Sequence, residues 1–186
     1  MRWLLTLLVL LSPTLATADN GNIQVKGEHE FKLSRNQDRW EIGAADKTEL
    51  HKASVMKTAD TQQLKDKTGI LLGSCQTQGK EAIIQRDASG NIIYLFDLTA
   101  KDTYLIADKD KKKLWRVKMK PDKFNIYDAN DTRLRHGKPK GDDISVRSEN
   151  DQQLLKIQGV NELRRASYLA LPLDSKWQIL AFLCAP

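Results

Sequence analysis

YLIADKDKKKLWRVKMK (residues 104–120) and FNIYDANDTRLRHGKPK (residues 124–140) decide how this chain folds. Each stretch starts with a short run of apolar, β-branched and aromatic residues. It reaches a cluster rich in Asp, Asn or Lys and then returns as a second run. In the return run of the first stretch, Trp115, Val117 and Met119 alternate with Arg116, Lys118 and Lys120. A period of two puts the apolar residues on one face and the cations on the other, as a half-buried β-strand requires. Asp and Asn suit the tip, because their side chains bond the backbone just ahead of them and favour tight turns. Each stretch therefore reads as a β-hairpin.

The same unit recurs along the chain. Its turn anchors are Asp46, Asp66, Asp87, Asp108 and Asp128, with a weaker copy at Ser148, at spacings of 20, 21, 21, 20 and 20 residues. Around the last four anchors the flanks keep register. Ile83, Tyr104, Phe124 and Ile144 stand four residues before, and Ile93, Leu114, Leu134 and Leu154 stand six after. Gln85, Ile106, Ile126 and Val146 stand two before. The first two copies match less well. Turn residues and the period of two argue against a helix of ten or more residues in each unit. A propeller needs four strands per blade, too many for this length. A membrane barrel needs strands of ~9–11 residues with an unbroken lipid-facing apolar band, and these runs are shorter and Lys-rich. Six hairpins give about twelve strands.

Working outward to the N-terminus, Arg2 precedes an apolar stretch, then Ser12-Pro13, then Ala16-Thr17-Ala18. A positive start, an apolar segment and a small-x-small site form a secretory signal peptide over residues 1–18. Residues 19–186 are then a single exported domain, periplasmic or extracellular. Two cysteines remain in it, Cys75 and Cys184. An oxidising compartment permits a bridge between them, and two buried thiols are the alternative.

Beyond Gly159 the pattern changes. Asn161 can N-cap a helix running to Leu171, where Pro172 stops or kinks it, and Asp174 can cap a second segment reaching Cys184. Pro172, Asp174 and Lys176 keep this segment, residues 161–185, short of the ~20 apolar residues of a transmembrane helix. A helix apolar on most sides is a buried helix. The expected fold is mainly β, with a C-terminal helix. About six consecutive β-hairpins, some twelve strands, form a barrel around or against that helix.

This arrangement resembles the tubby C-terminal fold, shared with phospholipid scramblases and LURP-one-related proteins. The resemblance is carried by the hairpin cores at residues 104–118 and 124–134, the copy at 144–157 and the helix at 166–184. It implies a closed twelve-stranded barrel around a central helix. Members of that family bind phosphoinositide head groups or act at membranes. An exported chain lies on the other side of the membrane from phosphoinositides, so that activity is not carried over, and fold likeness alone does not confer function.

Charge supplies the functional lead. The chain has 30 Lys+Arg against 24 Asp+Glu, a net charge of +6. Residues 101–123 alone hold nine Lys and Arg against four Asp, an excess of +5. Arg116, Lys118 and Lys120 share one strand face, with Lys109, Lys111, Lys112 and Lys113 at the adjoining tip. Such a patch suits an anionic lipid surface, an acidic polysaccharide or an acidic protein, and nucleic acid fits an exported protein less well. The bland alternative is a solvated face that keeps the sheet soluble and blunts an edge strand.

Signs of catalysis are sparse. His29, His51 and His136 have neither each other nor a Cys at ligand spacing. There is no G-x-S-x-G, no H-E-x-x-H and no phosphate loop. The tips at 108–110 and 128–131 are rich in oxygen, but neither continues into a full calcium loop, and tight turns want these same residues. Asn130-Asp131-Thr132 is a glycosylation acceptor in a eukaryotic host. The expectation is a non-catalytic protein without metal or cofactor that binds an anionic partner. A ligand-binding or catalytic site at the barrel rim, and a structural or accessory envelope role, are the alternatives.

Overall fold

The computed structural model describes residues 21–37, 39–44 and 48–186. The signal peptide expected at residues 1–18 and the first turn anchor, Asp46, lie outside the described residues. Fourteen strands follow one another. They are β1 (Asn22–Gly27), β2 (Phe31–Asn36), β3 (Arg39–Ala44), β4 (Ser54–Thr58), β5 (Thr61–Lys65), β6 (Leu71–Gln78) and β7 (Ala82–Asp87). Then come β8 (Ile92–Asp97), β9 (Thr103–Ala107), β10 (Lys113–Lys120), β11 (Lys123–Tyr127), β12 (Arg133–Lys140), β13 (Asp143–Ser148) and β14 (Gln153–Gln158). Each strand pairs antiparallel with the next, and β1 closes on β14 to make a barrel. Two short helices follow, α1 (Leu163–Leu169) and α2 (Ser175–Cys184).

The expected count of about twelve strands and one C-terminal helix is therefore corrected to fourteen strands and two helices. The turn anchors mark the connections from β3–β4 through β13–β14, which accounts for twelve strands. The first pair, β1 and β2, turns through Glu28, His29 and Glu30 and has no Asp or Ser anchor, so the repeat does not reveal it. Its own alternation is present in the sequence: Ile23 and Val25 on β1, and Phe31 and Leu33 on β2, are all buried. This pair closes the sheet, with Val25 opposite Ile157. Closure leaves the sheet no free edge.

From Asp66 onward the anchors work as self-capped turns. The Asp108 carboxylate accepts hydrogen bonds from the backbone N–H of Asp110 and of Lys112, each at 2.9 Å. Asp128 does the same with Asn130 (2.9 Å) and Thr132 (2.8 Å). Asp66 does so with Thr68 (2.8 Å) and Ile70 (2.9 Å). The fourth residue of each turn takes positive φ: Gly69 at 90°, Gly90 at 87°, Lys111 at 62°, Asp131 at 63° and Asp151 at 61°. A register shift follows each turn in the strand pairing, so the twenty-residue period is the period of one bulged hairpin.

The two helices fill the barrel. Ile179, Leu180, Ala181 and Phe182 are consecutive in α2 and each is 0% exposed. Four consecutive helical residues point in all directions, so α2 is covered on every side. It packs against β5, β6 and β7, while α1 packs against β10, β11 and β12. Helix α1 ends at Leu169 rather than Leu171, because the N–H groups of Ala170 and Leu171 turn back three residues, to Ser167 and Tyr168, ahead of Pro172. Glu162, not Asn161, flanks its start, with no side-chain cap; Asp174 flanks α2.

Interior polar groups mostly serve this plug. Gln85, the polar exception in the apolar column, points inward and donates to the Trp177 carbonyl at 2.8 Å. Gln178 donates to the Leu171 carbonyl at 2.7 Å. Tyr104 stacks on Tyr168 with ring centres 4.9 Å apart and bonds Ser167 Oγ at 2.8 Å. Cys75 on β6 and Cys184 at the end of α2 are joined by a disulfide, with Cα atoms 6.3 Å apart. It ties the last turn of the plug to the wall.

Candidate anion-binding face

Because side chains alternate, the row opposite the core points out of the barrel. On β10 the inward residues are Trp115, Val117 and Met119, so Arg116, Lys118 and Lys120 point outward. The patch expected from sequence is thus divided by the fold. Lys109, Lys111 and Lys112 sit exposed at the β9–β10 tip. Lys109 bonds its neighbour Asp110 at 2.8 Å, an exposed pair with little energetic weight. Lys113 and Arg116 both hold Asp131 of the next tip, at 3.0 and 3.3 Å. Their charge keeps that carboxyl below the usual carboxylate range, the Lys113 hydrogen bond being the largest cause. Arg116 also lies over the Tyr127 ring, 4.9 Å from its centre. Lys118 and Lys120 are exposed and have no bonding partner among the described residues.

The fold also extends the patch. Strand register aligns Lys118 with Asn125, Asn125 with His136 and His136 with Arg147. A second outward row runs Lys138, Ser145, Lys156, Lys26 across β12, β13, β14 and β1. Arg133 stands opposite Tyr127, and Lys120 opposite Lys123. Sequence inspection missed Arg133, His136, Lys138, Arg147, Lys156 and Lys26. A signal for several of them was present in the repeat. Arg116, His136 and Lys156 are each eight residues past an anchor, and Lys118 and Lys138 each ten past one. A window of net charge hides this, because acidic residues at the tips cancel cations on the strands.

Acidic groups on this face are few and engaged. Asp143 is held by Lys156 at 2.7 Å and by Gln158 at 2.8 Å, and both bonds lower its pKa. Asp151 lies 3.3 Å from His136 Nε2. His136 is nonetheless pushed below its ordinary pKa. Partial burial is the largest cause, and Arg133, Lys138 and Arg147 add to it against the opposing pull of Asp151. The neighbouring cations thus reinforce the effect of burial on this imidazole. Asn125 and Ser145, in the outward rows between these cations, are each only 4% exposed.

The barrel rim offers the rival site. A cavity of about 430 Å³ there is lined by Glu28, His29, Glu30, Glu49, Asp174 and Lys176, among others. Its charges are largely spent on structure. Glu28 binds Arg135 at 2.8 Å, and Arg135 in turn donates to the Ala170 carbonyl at the end of α1. Glu49 binds Lys176 at 3.0 Å. Among the described residues, no three His, Cys, Asp or Glu side chains are grouped to hold a metal. Of the three histidines, His29 lies at this rim, His51 approaches the Ala44 carbonyl at 3.4 Å, and His136 belongs to the cationic face.

No family model matches the chain. No curated protein matches it. Among solved structures, an X-ray structure of a protein from Arabidopsis thaliana is similar over 70% of this chain and 89% of that one, with 13% identity and a TM-score of 0.42. A likeness that weak carries no argument about this chain.

Proposed function

We propose that this is an exported, non-catalytic barrel that binds a polyanionic partner on the outer face of β10–β14 and β1. The observation that carries this is the in-register row of cations across neighbouring strands. Like charges placed opposite one another on a sheet destabilise it. Asp143 offsets only part of the repulsion between Lys156 and Lys26, whereas a polyanion would be met by both. The partner classes are anionic lipid surface, acidic polysaccharide or acidic protein. Export fits the Cys75–Cys184 bridge, since disulfides persist in oxidising compartments. The kinship with tubby-like barrels is proposed at the level of architecture, and no ligand is taken from it.

Co-sedimentation with vesicles containing anionic lipid, alongside binding to dextran sulfate, tests this. Binding is expected at low salt and should weaken as salt screens the face. Neutral vesicles and neutral dextran should not bind. A protein that ignores both polyanions at low salt does not have this function.

A further inference from the structure

Outward positions on a solvent-facing barrel should be polar. On β7, β8 and β9 several of them are apolar. Ala82 and Ile84 on β7, Leu95 on β8, and Leu105 and Ala107 on β9 all point out, because their neighbours Ile83, Phe96, Tyr104 and Ile106 are buried in the core. Register brings them together: Ile84 opposite Leu95, and Leu95 opposite Ala107. Ala107 in turn stands opposite Lys113. The small Ala107 between Leu95 and Lys113 leaves a depression, and the groove there measures about 470 Å³. That is within the range of small-molecule sites, ~300–1,000 Å³. Leu105 on its wall is 36% exposed.

The charge around this groove is polarised. Lys111 and Lys113 line one side, and Glu81 and Asp97 line another. Lys111 has no bonding partner among the described residues. Lys113 holds Asp131, but Arg116 holds the same carboxylate, so Lys113 can turn to a ligand without stranding that charge. Asp97 is satisfied by Thr99 at 2.7 Å and would repel an anion. An anionic group is thereby directed to the lysine side, with apolar surface beside it. The closed sheet offers no edge for an extended peptide to join. A concave groove flanked by charges suits one hydrocarbon chain better than the flat surface of a bilayer.

We propose that this groove binds a single-chain anionic amphiphile, a long-chain carboxylate, with the chain on Ile84, Leu95 and Leu105 and the head group on Lys111 and Lys113. This rests on the anionic-partner reading and adds to it a neighbouring site on β7–β9, bordered by Lys113 of β10. Decanoate titrated below its micelle concentration, followed by backbone amide chemical shifts, tests it. Saturable shifts are expected on β7–β9, with 1-decanol at least about tenfold weaker and acetate silent. Leu105→Asn should weaken decanoate about tenfold while leaving dextran sulfate binding unchanged, and Ile84→Thr serves as a second variant if the first fails to fold. Lys111→Asn with Lys113→Gln should reduce decanoate to the affinity of decanol, Asn being chosen because it tolerates the positive φ at residue 111.

The proposal is overturned if decanoate gives no saturable shifts on these strands, or if Leu105→Asn and Ile84→Thr both leave its affinity unchanged. Decanoate failing while dextran sulfate binds removes the groove and leaves the cationic face. Dextran sulfate failing while decanoate binds removes the polyanion function and leaves the groove. Binding only to intact anionic vesicles assigns the lysines to a membrane surface and also overturns the proposal.

Discussion

The inside and the outside of strands β10–β14 obey different constraints. Inside, Val117, Phe124, Ile126, Val146, Leu155 and Ile157 are buried in the core that the chain's own helices fill. Outside, the alternate positions hold Arg116, Lys118, Lys138, Arg147 and Lys156, spaced by strand register rather than by sequence. Many barrels place a ligand in the lumen. This one has filled its lumen with α1 and α2, which leaves the rim and the wall's outer surface open to a partner. Stability should therefore depend on the inner rows, and binding on the outer ones.

The largest effects are expected inside. Phe182→Ala should lower unfolding free energy by about 3–5 kcal/mol, since a large side chain is lost from a plug that cannot collapse. Replacing Cys75 and Cys184 together by Ala should cost about 2–4 kcal/mol, because the bridge closes a long loop in the unfolded chain. Urea unfolding measures both. If either change left stability intact but removed polyanion binding, the division between inside and outside would be wrong.

A smaller loss tests how tightly the inner layer is packed. A Cβ on Gly137 would run into the ring of Phe124, its cross-strand partner, which is fully buried. Gly137→Ala should cost about 1–3 kcal/mol, read as a shift in the urea midpoint. It sits between His136 and Lys138 on the outer face, so binding per folded molecule should be unchanged.

Much of this architecture was legible in the sequence. From Asp66 onward the twenty-residue period named every hairpin, since these turns cap themselves with the side chain of one residue. It was silent on β1 and β2, whose connection at Glu28, His29 and Glu30 uses no such residue. The apolar segment after Gly159 showed that something helical is buried, and Pro172 and Asp174 marked where it breaks, although a single C-terminal helix was expected. The cationic face was half legible. Lys118 and Lys120 lie within one run of charge, while Lys138, Lys156 and Lys26 join them only through strand register and barrel closure, which no window of sequence contains.

The smallest effect concerns protonation outside. The His136 pKa is lower in the folded protein than its unfolded value of about 6.5. The folded state thus binds fewer protons. Its contribution to stability is complete above about pH 6.5 and is lost as pH falls through the folded pKa. A polyanion over Arg133, Lys138 and Arg147 offsets the field that depresses the imidazole, so binding takes up a proton. Affinity for dextran sulfate should rise modestly as pH is lowered from 7.5 to below about 6.5. His136→Gln should flatten that rise, with His29 and His51 left in place as the control.

The central claim is that register, not sequence proximity, builds the binding face. The most direct test is the salt dependence of dextran sulfate affinity in three proteins. They are the wild type, a β10 variant (Lys118→Gln, Lys120→Gln) and a distant variant (Lys138→Gln, Lys156→Gln, Lys26→Gln). The slope of log affinity against log salt counts the anionic groups neutralised on binding, as it does for nucleic acids. Both variants should bind more weakly with shallower slopes, and both should unfold within about 0.5 kcal/mol of the wild type, as surface changes generally do. A distant variant with the wild-type affinity and slope would contradict the account.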